Sequence, residues 1–157
     1  VSLLGLVVSV VGFILTVAQV RQAKTAAEAA AHAARKARAA ILKSDLLVNC
    51  STVLSVFEEL KRLHRGSAWP IALDRYSALH QILMGLKADP GVLTEEQRTL
   101  LAGVTEQVVA MERKIEKCLA TGKPPSSVRL NQIVVDQMQH VFAIQTSVKS
   151  QLVSEND

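Results

Sequence analysis

The residues able to do chemistry are few, and their spacing argues against a catalytic centre. His32, His64, His80 and His140 are dispersed along the 157-residue chain. No HExxH pairing puts two of them on one helix face, and no carboxylate stands at ligand spacing. They read as surface or helix-end histidines rather than metal ligands. Glu58–Glu59 and Glu95–Glu96 are adjacent pairs. Neighbours on a helix lie about 100° apart, so neither pair forms an acid–base dyad. A solvated face and a first-turn partner for the helix dipole account for them. Glycine-rich phosphate loops and the GxSxG nucleophile turn do not occur. Cys50 and Cys118 sit among apolar residues at helical spacing, as buried free thiols of a reducing compartment would. Two cysteines make neither a disulfide framework nor a zinc site. The expectation is a protein without catalytic activity, metal or cofactor.

Two other sets of residues carry a pattern. Arg21, Lys24, Arg35, Lys36, Arg38 and Lys43 form a cationic series with Glu28 as the one acid among them. Rows of Lys and Arg on one face are what a single-stranded nucleic acid backbone, or another phosphate ligand, requires. Arg62, Arg65 and Arg75 could extend the series, and Trp69 and Tyr76 could stack bases, although their spacing suits helix packing better. The second set is Ser2, Gly5, Ser9, Gly12, Thr16 and Gln19. It runs through the uncharged stretch VSLLGLVVSVVGFILTVAQV at spacings of three and four, which makes one stripe on a helix. Such a stripe packs dry, with glycines letting backbones approach, or lines a water-filled path.

These sets need elements to position them. Residues 1–20 span about 30 Å as a helix, the thickness of a bilayer core. The helical pattern passes through Val20 without a break and no basic residue precedes it. A retained span is therefore expected, rather than a cleaved signal peptide or a buried core helix. The stripe continues as Ala23, Ala26, Ala30, Ala33, Ala37 and Ala40. A 3.5-residue period over about forty residues predicts parallel association of like helices. Basic residues after the span place that end in the cytoplasm and the N-terminus outside. Lipid headgroups account for Arg21 and Lys24. On an upright helix, Arg35 to Lys43 stand about 20–35 Å further out, beyond a Debye length of about 8 Å.

From Ser44 the pattern changes to large apolar residues at helical spacing, and no segment alternates like a strand. Nothing breaks a helix before Leu63, although Ser44–Asp45 could cap a new one. Pro70 opens a second helix, Asp89–Pro90–Gly91 stops it, and Thr94–Glu95–Glu96–Gln97 is a capping box. Gly122 with Pro124–Pro125 breaks the third, and Ser126 or Ser127 caps the fourth. Aromatic content of 3 % against 49 % hydrophobic also favours helices over a β-sandwich. The fold expected is all-α: a transmembrane helix over 1–20, an Ala-rich basic helix over 21–43, and an antiparallel bundle over 44–157. Its helices fall near 44–64, 70–88, 95–120 and 127–153. Net charge is +4.

The stretch GFILTVAQVRQAKTAAEAA (12–30) and the junction LHRGSAWPIALDRYSAL (63–79), followed by a helical remainder, resemble small membrane effectors of bacterial anti-phage defence of the Hailong type. The resemblance covers most of the chain. It implies an oligomeric helical channel in the inner membrane, held shut by single-stranded DNA oligomers that a nucleotidyltransferase-like partner makes. No ligand residues carry over from it. The expected function is a homo-oligomeric channel effector regulated by a bound oligonucleotide or nucleotide signal. Its partners would be the bilayer, further copies of itself, the oligonucleotide and a nucleotidyltransferase. The alternative is a membrane-anchored adaptor whose bundle recruits a cytosolic protein.

Overall fold

A computed structural model describes residues 3–87 and 93–154, with side chains between 3 and 18 described only for Phe13 and Thr16. Ser2, the Asp89–Pro90–Gly91 stop and the last three residues lie outside it. Four helices follow in order: α1 (Leu3–Arg65), α2 (Trp69–Lys87), α3 (Glu95–Ala120) and α4 (Ser127–Ser154). Among the described residues there is no strand. The chain divides into two compact units, Val1–Ala40 and Ile41–Asp157.

In the first unit the chain is helix throughout its described length. Every residue from Gln19 to Ala40 is exposed. Its helicity therefore rests on composition: Ala, Lys, Arg and Gln are strong helix formers, and neither Gly nor Pro interrupts them. Ser44 and Asp45 lie inside α1 and start no new helix. α1 is long and apolar enough to cross a membrane; within Gln19–Arg65 its most apolar stretch of 18 residues reaches a mean hydropathy of 1.4. That portion includes Leu46, Cys50, Val53 and Phe57, which are buried in the bundle. Packing already accounts for their apolar character, so the span expectation rests on residues 1–20.

The second unit is held by one core. Leu46, Cys50, Val53, Phe57 and Leu60 of α1 meet Tyr76, Leu79 and Leu83 of α2, with Val104, Val108 and Ile115 of α3 and Val134, Val141 and Val148 of α4. Each series recurs at three or four residues or their sum, the helical period. α2 packs on α3 and α3 on α4. Ser51 of α1 bonds Gln145 of α4, whereas Lys61 and His64 bond Asn131. These two segments therefore run antiparallel.

The helix ends explain the connections. Ala68 N–H donates to the Leu63 carbonyl at 3.0 Å and Ser67 N–H to His64 at 3.2 Å, a Schellman closure of α1. Its left-handed position is Ser67 (φ 53°), not the neighbouring Gly66. α3 ends in the same way, with Gly122 at φ 68° and Lys123 N–H bonded to the Cys118 carbonyl. The Thr94–Gln97 capping box is formed in both directions, at 3.2 and 2.9 Å. Gln97 is also buried, and its Nε2 donates to Ser147 of α4, so the cap helps fasten α3 to α4. Ser126 Oγ accepts from Arg129 N–H and caps α4.

Candidate functional site

The cationic series lies on α1. Arg21, Lys24, Arg35, Lys36 and Arg38 are all exposed, and Lys43 is half-buried at the start of the second unit. At 100° per residue, the first five fall within an arc of about 160°, and the alanine stripe occupies the opposite side. From Arg21 to Arg38 the helix rises about 26 Å. Lys24 sits 4.0 Å from Glu28 at an exposed i,i+4 pair, an interaction of a few tenths of a kcal/mol that leaves its charge open to solvent. An exposed row of this kind can accept a chain of phosphates at little desolvation cost.

The suggested extensions behave differently from one another. Arg62 and Arg65 are exposed near the C-terminal end of α1. Arg75 is bound at 3.0 Å to Glu59 and serves to tie α2 to α1. Trp69 and Tyr76 are core residues at 7 % and 0 % exposure, which rules out stacking on a bound base. Of the stripe in the apolar stretch, Thr16 and Gln19 are exposed. Gly5, Ser9 and Gly12 lie within α1, with side-chain surroundings outside the described set, as Ser2 is altogether.

One cluster corrects the reading of the histidines. His64 is neither on the surface nor a simple helix-end partner: it is fully buried at the centre of a polar network joining all four helices. Asn131 Nδ2 donates to the Lys61 carbonyl at 3.4 Å, which turns its Oδ1 toward His64 Nδ1 at 2.8 Å. Nδ1 must then carry the proton, leaving Nε2 to accept from the Tyr76 hydroxyl at 3.1 Å. Met111 Sδ lies 3.4 Å from that hydroxyl. The rings of Trp69 and Tyr76 stack at centroid distances of 5.7 and 5.8 Å from the imidazole. Burial holds the His64 pKa below its usual value, partly opposed by the Asn131 bond. Burial and the Glu112 charge push the Tyr76 phenol well above its ordinary range. Every buried side-chain nitrogen and oxygen among the described residues has a partner. The cluster is a satisfied clasp with no open position for a substrate. Its sequence signal was the three-and-four spacing Phe57, Leu60, His64, which continues the core stripe.

Cys50 is buried and its thiol is pushed up to about 11, a packing residue rather than a nucleophile. Cys118 is a half-buried free thiol. Among the described residues no group of three His, Cys, Asp or Glu could hold a metal ion. Comparison with protein families, curated proteins and solved structures gives no match for this chain. The functional reading therefore rests on the chain's own residues.

Proposed function

We propose that this protein is a membrane effector that self-associates through α1 into a helical channel, regulated by a single-stranded oligonucleotide or nucleotide signal bound to its cationic face. The observation that carries the reading is the single helix α1, Leu3–Arg65. One element carries the apolar end, the exposed cationic series and the first core residues of the bundle. A ligand on the cationic face would act on the same helix that lines or closes the membrane path. The cations following residues 1–20 favour a cytoplasmic bundle and an external N-terminus. The setting, bacterial antiviral defence beside a nucleotidyltransferase in the inner membrane, rests on the resemblance alone.

The test is ion flux from liposomes holding the purified full-length chain, with and without single-stranded DNA. The proposal expects flux that the oligonucleotide changes, and loss of flux when residues 1–20 are exchanged for an unrelated apolar helix. Absence of flux under every ligand condition overturns it. An exchanged span that preserves cellular activity points to the adaptor instead.

A further inference from the structure

We propose that a cavity between α3 and α4 binds a small neutral ligand that presents an N–H donor beside an acceptor, as a carboxamide or a nucleobase does. Among the described residues four polar side chains are buried: His64, Gln97, Thr105 and Gln137. Three are paired within the chain: His64 with Asn131 and Tyr76, Gln97 with Thr94 and Ser147, and Thr105 with the Leu101 carbonyl. Gln137 is 6 % exposed and forms no hydrogen bond to any described residue. Every sealed-in side-chain nitrogen and oxygen among the described residues has a partner, so the Gln137 amide is not sealed in. It opens into a cavity of about 260 Å³, lined also by Thr99, Gly103, Glu106 and Gln107 of α3 and His140 of α4. A primary amide carries two N–H donors and an acceptor oxygen. Left unpaired in so buried a position they cost stability, which a bound partner recovers.

The lining selects the ligand. Neither Lys nor Arg contributes to it and Glu106 brings a carboxylate, so phosphate and other anions are disfavoured. The Thr99 hydroxyl already donates to the Glu95 carbonyl, which leaves its oxygen as an acceptor. Glu106, Thr99 and the Gln137 oxygen therefore call for N–H donors, whereas the Gln137 nitrogen calls for an acceptor. An ammonium ion meets the first need and not the second. An amide edge meets both, and it can pair with the Gln137 amide through two parallel hydrogen bonds, as glutamine side chains do with a base edge. Gly103 keeps the space open, since a Cβ built there meets nothing within 4 Å. The cavity is smaller than the ~300–1,000 Å³ of pockets for drug-sized ligands, and suits a single planar ring or amide group. The proposed channel uses none of these residues, so the site stands or falls apart from it.

The experiment is a side-chain amide NMR titration of the isotope-labelled full-length chain in detergent, with the Gln137 signals assigned by their loss in Gln137→Leu. The probes are acetamide, the common ribonucleosides and inorganic phosphate. Saturable shifts of the Gln137 signals are expected with acetamide or with at least one nucleoside, and none with phosphate. A response to a nucleoside and not to acetamide marks the ligand as a base, and the converse marks it as a carboxamide. Gly103→Leu fills the open space with a better helix former, so it should keep the fold. It should weaken the responding probe at least about tenfold, the equivalent of losing both amide hydrogen bonds. If no probe shifts the Gln137 signals, the cavity holds water alone and the proposal is overturned. A response to phosphate alone, or binding that Gly103→Leu leaves unchanged, overturns it as well. Should Gly103→Leu fail to fold, Gln137→Leu decides in its place, read from broadening of the probe's own resonances.

Discussion

Acid should loosen the bundle through His64, and the size of the effect follows from its surroundings. The ring is fully buried, Nδ1–H is committed to Asn131, and Nε2 accepts from Tyr76. Burial lowers its pKa in the folded protein, whereas in the unfolded chain it returns to about 6.5. Well above that value both states hold the neutral ring and the full stability is present. As pH falls through 6.5 the unfolded chain takes up a proton that the folded chain resists. Stability is therefore lost with falling pH until the lowered folded pKa is reached. If the folded ring stays neutral throughout, the loss between pH 7.5 and 5.5 comes to about 1.4 kcal/mol, and this is an upper bound. The hydrogen bonds soften the penalty without abolishing it. Protonation would place Nε2–H against the Tyr76 oxygen, and the hydroxyl proton could turn to Met111 Sδ at 3.4 Å, so the remaining cost is desolvation. The assay is urea unfolding followed by Trp69, the single tryptophan, whose ring stacks on His64. The readout is the pH slope of wild type minus that of His64→Gln, which cancels every other titrating group. A slope equal in the two proteins, or no slope in the wild type, refutes the reasoning.

Three further outcomes are expected. Ser67→Gly removes a left-handed strain of about 1–2 kcal/mol and costs somewhat less in unfolded-chain entropy, so thermal or urea unfolding should show a net gain of about 0.5–1 kcal/mol. Phe57→Ala empties a fully buried site and should cost about 3–5 kcal/mol in the same assay. Joint replacement of Arg35, Lys36 and Arg38 by Gln should weaken single-stranded DNA binding. It should also flatten the slope of log affinity against log salt by about 2, at roughly 0.7 for each phosphate no longer neutralised.

The helical architecture was largely legible because each signal for it is local. Thr94 and Gln97 stand three residues apart in sequence and close on each other in space. The core of α3 and α4 follows the apolar period directly: Leu101, Val104, Val108, Met111 and Ile115 on α3, then Leu130, Val134, Val141, Ile144 and Val148 on α4. A residue whose role depends on a distant partner is not legible from local spacing. His64 looks like a helix-end cation until Asn131, 67 positions later, supplies the acceptor that lets it be buried. Arg75 joins the cationic residues by type and leaves them through Glu59. Leu46 and Cys50 are the deeply buried residues at the start of the bundle. The cationic and small-residue faces of residues 1–40 were visible as pattern, but pattern does not name a ligand.

The most direct test of the central claim is current across a planar bilayer containing the purified chain. Discrete conductance steps are expected, altered by single-stranded DNA from the side bearing the bundle and of changed size in Thr16→Val/Gln19→Leu. A bilayer that stays silent while the protein is demonstrably inserted, with and without the oligonucleotide, would contradict that claim.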